Sequence, residues 1–166
     1  MDDLTIRLAR ATDFDALWPI LRAVIRAGDT YAFDQSLSAE AVRALWMETP
    51  RATFVAEAGG AVPGTYYIKT NQAGGGAHVC NAGFMVAAAA RGHGVARAMC
   101  EHAQMQARAM GYLAMQFNFV VSTNEGAVAL WQSLGFSTVG RLPRAFRHPR
   151  AGLVDALVMY KWLGAD

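Results

Sequence analysis

Six consecutive residues, Arg91, Gly92, His93, Gly94, Val95 and Ala96, bring together a cation, two glycines and small side chains. Before them, Phe84, Met85 and Val86 end an apolar strand-like run. After them, Ala96, Met99, Cys100, Ala103, Ala107 and Met110 recur at helical spacing. The segment reads as a strand-to-helix turn. The first N–H groups of a helix lack partners and carry partial positive charge, so such a turn attracts phosphate. Glycine lets the main chain approach an anion with no Cβ in the way. Arg91 adds a full charge, and Ala96 allows close packing. The chemistry on offer is pyrophosphate binding.

Three phosphate-binding patterns compete for this turn. A P-loop needs GxxxxGK followed by Ser or Thr, which is absent. A dinucleotide-binding turn reads GxGxxG, and Arg97 stands where its third glycine belongs. That fold also needs an acid about 20 residues on, and the strand over residues 113–121 contains none. The third pattern, [RQ]-x-x-G-x-[GA], is filled by Arg91, Gly94 and Ala96.

The elements that must hold this turn follow from periodicity. Leu4, Ile6 and Leu8 alternate with polar residues and predict a strand. Thr12 or Asp13 caps a helix carrying Phe14, Leu17, Leu21, Val24 and Ile25, with Pro19 expected to kink or delay it. Residues 28–34 read as a loop, and Ser38 caps a second helix through Trp46 and Met47. Strands over 53–57, 64–70 and 77–86 predict an antiparallel meander. A helix over 95–110, a strand over 112–121, a helix over 125–134 and strands over 137–142 and 154–162 follow. The order predicts one mixed α/β domain spanning residues 1–166.

Composition narrows the function classes. The chain has 166 residues, 54% hydrophobic and 17% charged, enough for a sizeable core and unlike a disordered segment. No apolar run reaches the ~18 residues of a membrane span, so a cytoplasmic location and no membrane partner are expected. A net charge of +2 gives no reason to expect nucleic acid. Cys80 and Cys100 are too few for a disulfide framework, and four histidines show no zinc spacing, so no metal is expected.

Downstream, Asn124, Ala127, Leu130, Gly135 and Phe136 match N-x-x-A-x-x-L-[Y]-x-x-x-G-F, with Trp131 at its aromatic position. Physically this is an amphipathic helix stopped by a glycine. With the turn at Arg91, and in the same element order, it resembles the GCN5-related N-acetyltransferase family. The resemblance covers essentially the whole chain, most strongly residues 81–136. It implies a mixed central sheet of six or seven strands, helices on both faces, and two central strands that splay apart around acetyl-CoA, the co-substrate.

Carried over to this sequence, the resemblance places main-chain contacts to the cofactor arm at Met85 and Val86. It places pyrophosphate contacts at Arg91, Gly92, His93, Gly94, Val95 and Ala96, and further cofactor contacts at Asn124 and Trp131. The reaction it implies is direct attack of a neutral amine on the thioester. That needs a base, donors for the oxyanion, and stabilisation of a thiolate whose ordinary pKa is about 8.5. The family often has a tyrosine acid where Trp131 stands. Indole cannot give up its proton usefully, so Trp131 is expected to pack against the cofactor arm. Asn81 is a candidate for orienting the amine or a water, and His148 and Asp155 are candidate proton-transfer groups. Tyr31, Phe33 and Asn118 are expected at the acceptor cleft.

The expected function is N-acetylation of a small-molecule or amino-acid-like amine. A protein N-terminal or lysine acetyltransferase, and a non-catalytic acyl-CoA sensor, stand as alternatives. The oligomer is left open, a homodimer included.

Overall fold

The computed structural model describes residues 3–165. Seven strands form one sheet in the order β1-β2-β3-β4-β5-β7-β6. They are β1 (Thr5–Leu8), β2 (Ala52–Ala58), β3 (Ala61–Thr70), β4 (Val79–Val86), β5 (Ala114–Val121), β6 (Ser137–His148) and β7 (Gly152–Trp162). All neighbours are antiparallel except β4 and β5, which run parallel through the crossover helix α3 (Val95–Ala109). The expected meander is β2–β3–β4.

Alternation along the strands splits the interior in two. Val55, Tyr67 and Met85 face α1 (Phe14–Ala27) and α2 (Ala39–Arg43). Phe54, Tyr66, Ile68 and Cys80 face α3 and join α4 (Glu125–Ser133) through Trp131. Helices therefore cover both faces, as the resemblance implied. Among the described residues no helix is long and apolar enough to cross a membrane.

Three expectations change in detail. Pro19 does not delay α1, which begins at Phe14 and runs through it. The carbonyl that Pro19 cannot serve is that of Asp15, an exposed residue of the first turn. The second helix widens into a π-turn over Ala44–Glu48, with Thr49 N–H donating to Ala44 C=O at 2.9 Å. The wider turn seats Trp46 fully inside, where its indole N–H donates to Thr65 Oγ1 at 3.0 Å. Finally, β6 extends past Leu142 to His148. Pro143 and a bulge between Leu142 and Phe146 break the alternation that marks a strand in sequence. Both are tolerated because β6 is an edge strand.

Candidate active site

The parallel pairing of β4 and β5 is short. It joins Val79 to Ala114, Cys80 to Met115 and Asn81 to Gln116, and stops there although both strands continue. Asn81 marks the point of separation. Its Nδ2 donates to the Gln116 carbonyl at 3.0 Å, and its Oδ1 accepts from the Tyr67 hydroxyl at 3.2 Å. Asn81 is 7% exposed, so both ends of its amide are committed. Gly83 makes this possible, because a Cβ there would lie 2.6 Å from the Tyr67 ring. Beyond Asn81 the strands diverge around a cavity of about 750 Å³, within the usual range for a small-molecule site.

One end of the cavity is the turn before α3. Gly92 and Gly94 have φ of 77° and 82°, the left-handed region that glycine adopts without cost. An added Cβ on either would meet no atom within 4 Å, so the turn is open above both glycines. Gly94 caps α3, and the N–H groups of Val95, Ala96 and Arg97 therefore have no helical acceptor. Arg91, Gly92, Gly94, Val95 and Ala96 all line the cavity. His93 does not; its Nδ1 lies 2.9 Å from the Arg91 carbonyl and its side chain is exposed. Arg97 lines the cavity instead, with Nη2 donating to Ser133 Oγ at 2.8 Å.

Asn124 lines the wall at the start of α4. Trp131 fills the floor of the gap between the two diverging strands. Its ring lies 5.1 Å from Phe84 on β4 and 5.1 Å from Phe117 on β5, and it is 8% exposed. A wide aromatic at this position bridges strands that no longer bond each other.

The main chain of β4 alternates in a way that corrects one expectation. Ala87 N–H donates to Pro63 on the β3 side, while both N–H and C=O of Phe84 face the gap. The period of two then turns the main chain of Met85 toward β3 and leaves Ala82, Phe84 and Val86 facing the gap. Val86 thus presents its main chain to the gap, and Phe84, not Met85, does so beside it. The buried Met85 side chain belongs to the α1 side of the core.

The other end of the cavity lies on the α1 face of the sheet. Tyr31 and Phe33 line it from residues 28–37, stacked with centroids 5.5 Å apart. The Tyr31 hydroxyl accepts from Phe84 N–H at 2.8 Å and donates to Phe84 C=O at 2.8 Å. Burial pushes its phenol well above the ordinary range, so it is neutral. Asn118 lines the far wall, accepting from Gln116 Nε2 at 2.9 Å and donating to Asn71 Oδ1 at 2.7 Å. Two residues that the sequence did not single out also line this end, Lys69 and Asp29. Lys69 Nζ sits 5.5 Å over the Tyr67 ring. Its position two residues after Tyr67 on β3 is the signal that puts it on the same face. Asp29 is the one carboxylate lining the cavity among the described residues, and Arg150 stands 4.0 Å from it.

His148 and Asp155 are not brought to the cavity. His148 Nδ1 accepts from the N–H groups of Arg150 and Ala151, both at 3.1 Å, and so caps the β6–β7 turn. Asp155 accepts from Arg144 N–H at 2.9 Å and pairs with Arg141, and these bonds hold its carboxyl below its usual range. Arg144 has φ of 53°, so Asp155 pins a strained bulge. Both groups are structural parts of the hairpin. Among the described residues no cluster of His, Cys, Asp and Glu can hold a metal ion.

A strand pair that splays around a cavity, with a cation-lined helix N-terminus at one end, is the arrangement the two sequence motifs imply. Residues 16–136 match the model of the acetyltransferase (GNAT) family. The chain belongs to that family. Its members are acyltransferases that use acetyl-CoA. The chain is 34% identical over 96 residues to N-acetyltransferase aca1 of Schizosaccharomyces pombe, covering 57% of this chain and 46% of the relative. It thus spans about half the length of the curated relative it matches. Its fold is similar to a GCN5-related N-acetyltransferase from Kribbella flavida, with a TM-score of 0.92, 47% identity and coverage of 97% and 98% of the two chains. The fold is also similar to yncA from Salmonella typhimurium, whose structure holds acetyl-CoA, with a TM-score of 0.83, 22% identity and coverage of 99% and 96%.

Proposed function

We propose that the chain transfers an acetyl group from acetyl-CoA to the amine of a small, amino-acid-like acceptor by direct attack. The observation that carries this is the gap beyond Asn81 and Gln116. It joins a phosphate-binding turn on the α3 face to a polar pocket on the α1 face. Two reactants held on opposite faces can meet only in that gap.

The residues present fit an acyl-CoA. The open left-handed turn at Gly92 and Gly94, the unpaired N–H groups of α3 and the charges of Arg91 and Arg97 suit a pyrophosphate. The gap-facing main chain of Val86 and Phe84 suits an arm rich in amides. When bound, acetyl-CoA supplies the activated acyl carbon and a competent thiolate leaving group.

The protein supplies position and proton management. Phe84 N–H faces the gap and stabilises charge that builds on the carbonyl oxygen. Asn81 fixes the depth at which the gap closes. The amine enters from the α1 face past Tyr31 and Phe33, and Asp29 is the carboxylate on that side able to take its proton, through water. Trp131 has no proton to give at neutral pH, so the thiolate takes one from solvent. Lys69, with Asn118 across the cavity, makes the acceptor end suited to a carboxylate-bearing amine.

The test is thiol release from acetyl-CoA over a panel of amines that pairs each amino acid with its amide and its decarboxylated amine. Turnover that prefers the free carboxylate is expected. Tight CoA binding with no turnover on any amine would instead favour a sensor, and turnover confined to peptides would favour a protein acceptor.

A further inference from the structure

The gap-facing main-chain groups of β4 are the natural partners of an incoming thioester arm, yet those of Phe84 are already taken. The Tyr31 hydroxyl uses its one proton on Phe84 C=O and one lone pair on Phe84 N–H, each at 2.8 Å. Phe84 lies midway between the open end at Val86 and the closed end at Asn81. Successive gap-facing residues are about 7 Å apart at the usual strand rise. An arm anchored at the turn before α3 meets Val86 first and Phe84 next. One N–H cannot serve the Tyr31 oxygen and a carbonyl oxygen at full strength.

Tyr31 is also built to move. It sits in residues 28–37, which lack helix and strand. That segment is tied at its flanks, by Gln35 Nε2 on the Arg26 carbonyl at 2.8 Å and by the turn from Asp34 to Leu37. Between these ties, the hydrogen bonds of Tyr31 to Phe84 link this segment to the centre of the sheet, and a longer contact of Asp29 with Arg150, at 4.0 Å, links it to the β6–β7 turn. The ring stacks on Phe33 and meets Trp46 edge-on at 6.5 Å, so a shift of Tyr31 moves the acceptor wall with it.

We propose that Tyr31 occupies the site of the thioester carbonyl on Phe84, and that acetyl-CoA displaces it and thereby sets the acceptor wall. Tyr31 is a positioning residue that couples loading of the acyl donor to shaping of the acceptor pocket. This inference rests on the reading of the gap as the acyl-donor site.

Tyr31→Phe keeps the ring and removes the hydroxyl. If Tyr31 competes, Tyr31→Phe binds acetyl-CoA more tightly, by about two- to tenfold for the one net hydrogen bond on Phe84 N–H no longer contested. CoA, which has no thioester carbonyl, gains less. The thermal midpoint falls at the same time, because the hydroxyl's bonds are lost from the folded chain. A tie that merely holds the loop predicts the opposite sign, so unchanged or weaker acetyl-CoA binding overturns the proposal. On the wild-type chain, amide exchange in residues 28–37 should be faster with acetyl-CoA than with CoA; slower exchange also overturns it. Failure of the wild type to bind either ligand would instead remove the acyl-donor reading itself.

Discussion

Gly94→Val separates the two jobs of the turn before α3. Gly94 has φ of 82°, and a Cβ there meets no atom within 4 Å. The cost to folding is therefore conformational and not a clash. A β-branched residue in the left-handed region costs about 1–3 kcal/mol. Against an ordinary stability of about 5–15 kcal/mol, the chain stays folded. The consequence for ligand is larger. To relieve the strain the peptide units around Gly94 must turn, and the N–H groups of Val95 and Ala96 lose their aim. Each hydrogen bond to a charged group is worth about 1.5–3 kcal/mol, so two lost bonds weaken acetyl-CoA by roughly 10²- to 10⁴-fold.

Gly152→Val is the matched control. Gly152 has φ of 73° and equally open surroundings, but it is the first residue of β7, just after the β6–β7 turn, and does not line the cavity. It should lose a similar amount of stability and bind acetyl-CoA as the wild type does. Calorimetric titration of both variants, beside their urea unfolding curves, reads both quantities. A folded Gly94→Val that binds acetyl-CoA with wild-type affinity would refute the assignment of the turn.

Three further outcomes can be stated. Trp131→Phe keeps kcat within about tenfold in the thiol-release assay, because the position supplies packing against Phe84 and Phe117 and no proton; a loss of several orders of magnitude with acetyl-CoA binding intact would make the indole N–H essential. Asp29→Asn lowers kcat/KM by roughly 10²- to 10⁴-fold with acetyl-CoA affinity unchanged, whereas His148→Ala, which alters a hairpin cap, leaves kcat within about twofold; equal losses in the two would put the base elsewhere. The third concerns Asp13, whose carboxyl the Arg7 guanidinium and the Arg10 N–H hold down at about 2. Because the folded value lies below the unfolded one, the bond stabilises the fold above pH ~4 and is lost as pH falls toward 2. Asp13→Asn should flatten that acid limb by about 1–2 kcal/mol after solvent screening, seen in unfolding curves from pH 5 to 2.

How legible these parts were depends on where their information lies. The half proposed to hold the acyl donor is local. A strand, a glycine turn and a helix in one run of residues fix a helix N-terminus, and Asn124 to Phe136 supply the second wall. Side-chain type there states its own purpose, since glycine alone adopts without cost the backbone that Gly92 and Gly94 need. Met85 shows how far this goes. The strand was legible, but which of its residues turn their main chain to the gap depends on hydrogen bonds to Pro63 and Tyr31, which are distant in sequence. The same holds for β6, whose second half hides behind Pro143 and the bulge at Arg144.

The half proposed for the acceptor is assembled from residues 28–37, β3, β4 and β5, and no single stretch carries it. Tyr31 and Phe33 lie in a segment without period, so their type was visible and their partners were not. Lys69 reads as the exposed end of a strand until Tyr67, two residues earlier, is known to cross Gly83 and reach Asn81. His148 and Asp155 mislead for the converse reason. They have the right chemistry, and a hairpin with a strained bulge consumes it. A titratable residue signals catalysis only when its hydrogen-bonding capacity is left over after the fold has used what it needs. By that measure Asp29, whose contact with Arg150 is long at 4.0 Å, and Lys69, both lining the cavity with Tyr31, are where the proposed acceptor chemistry has room to occur.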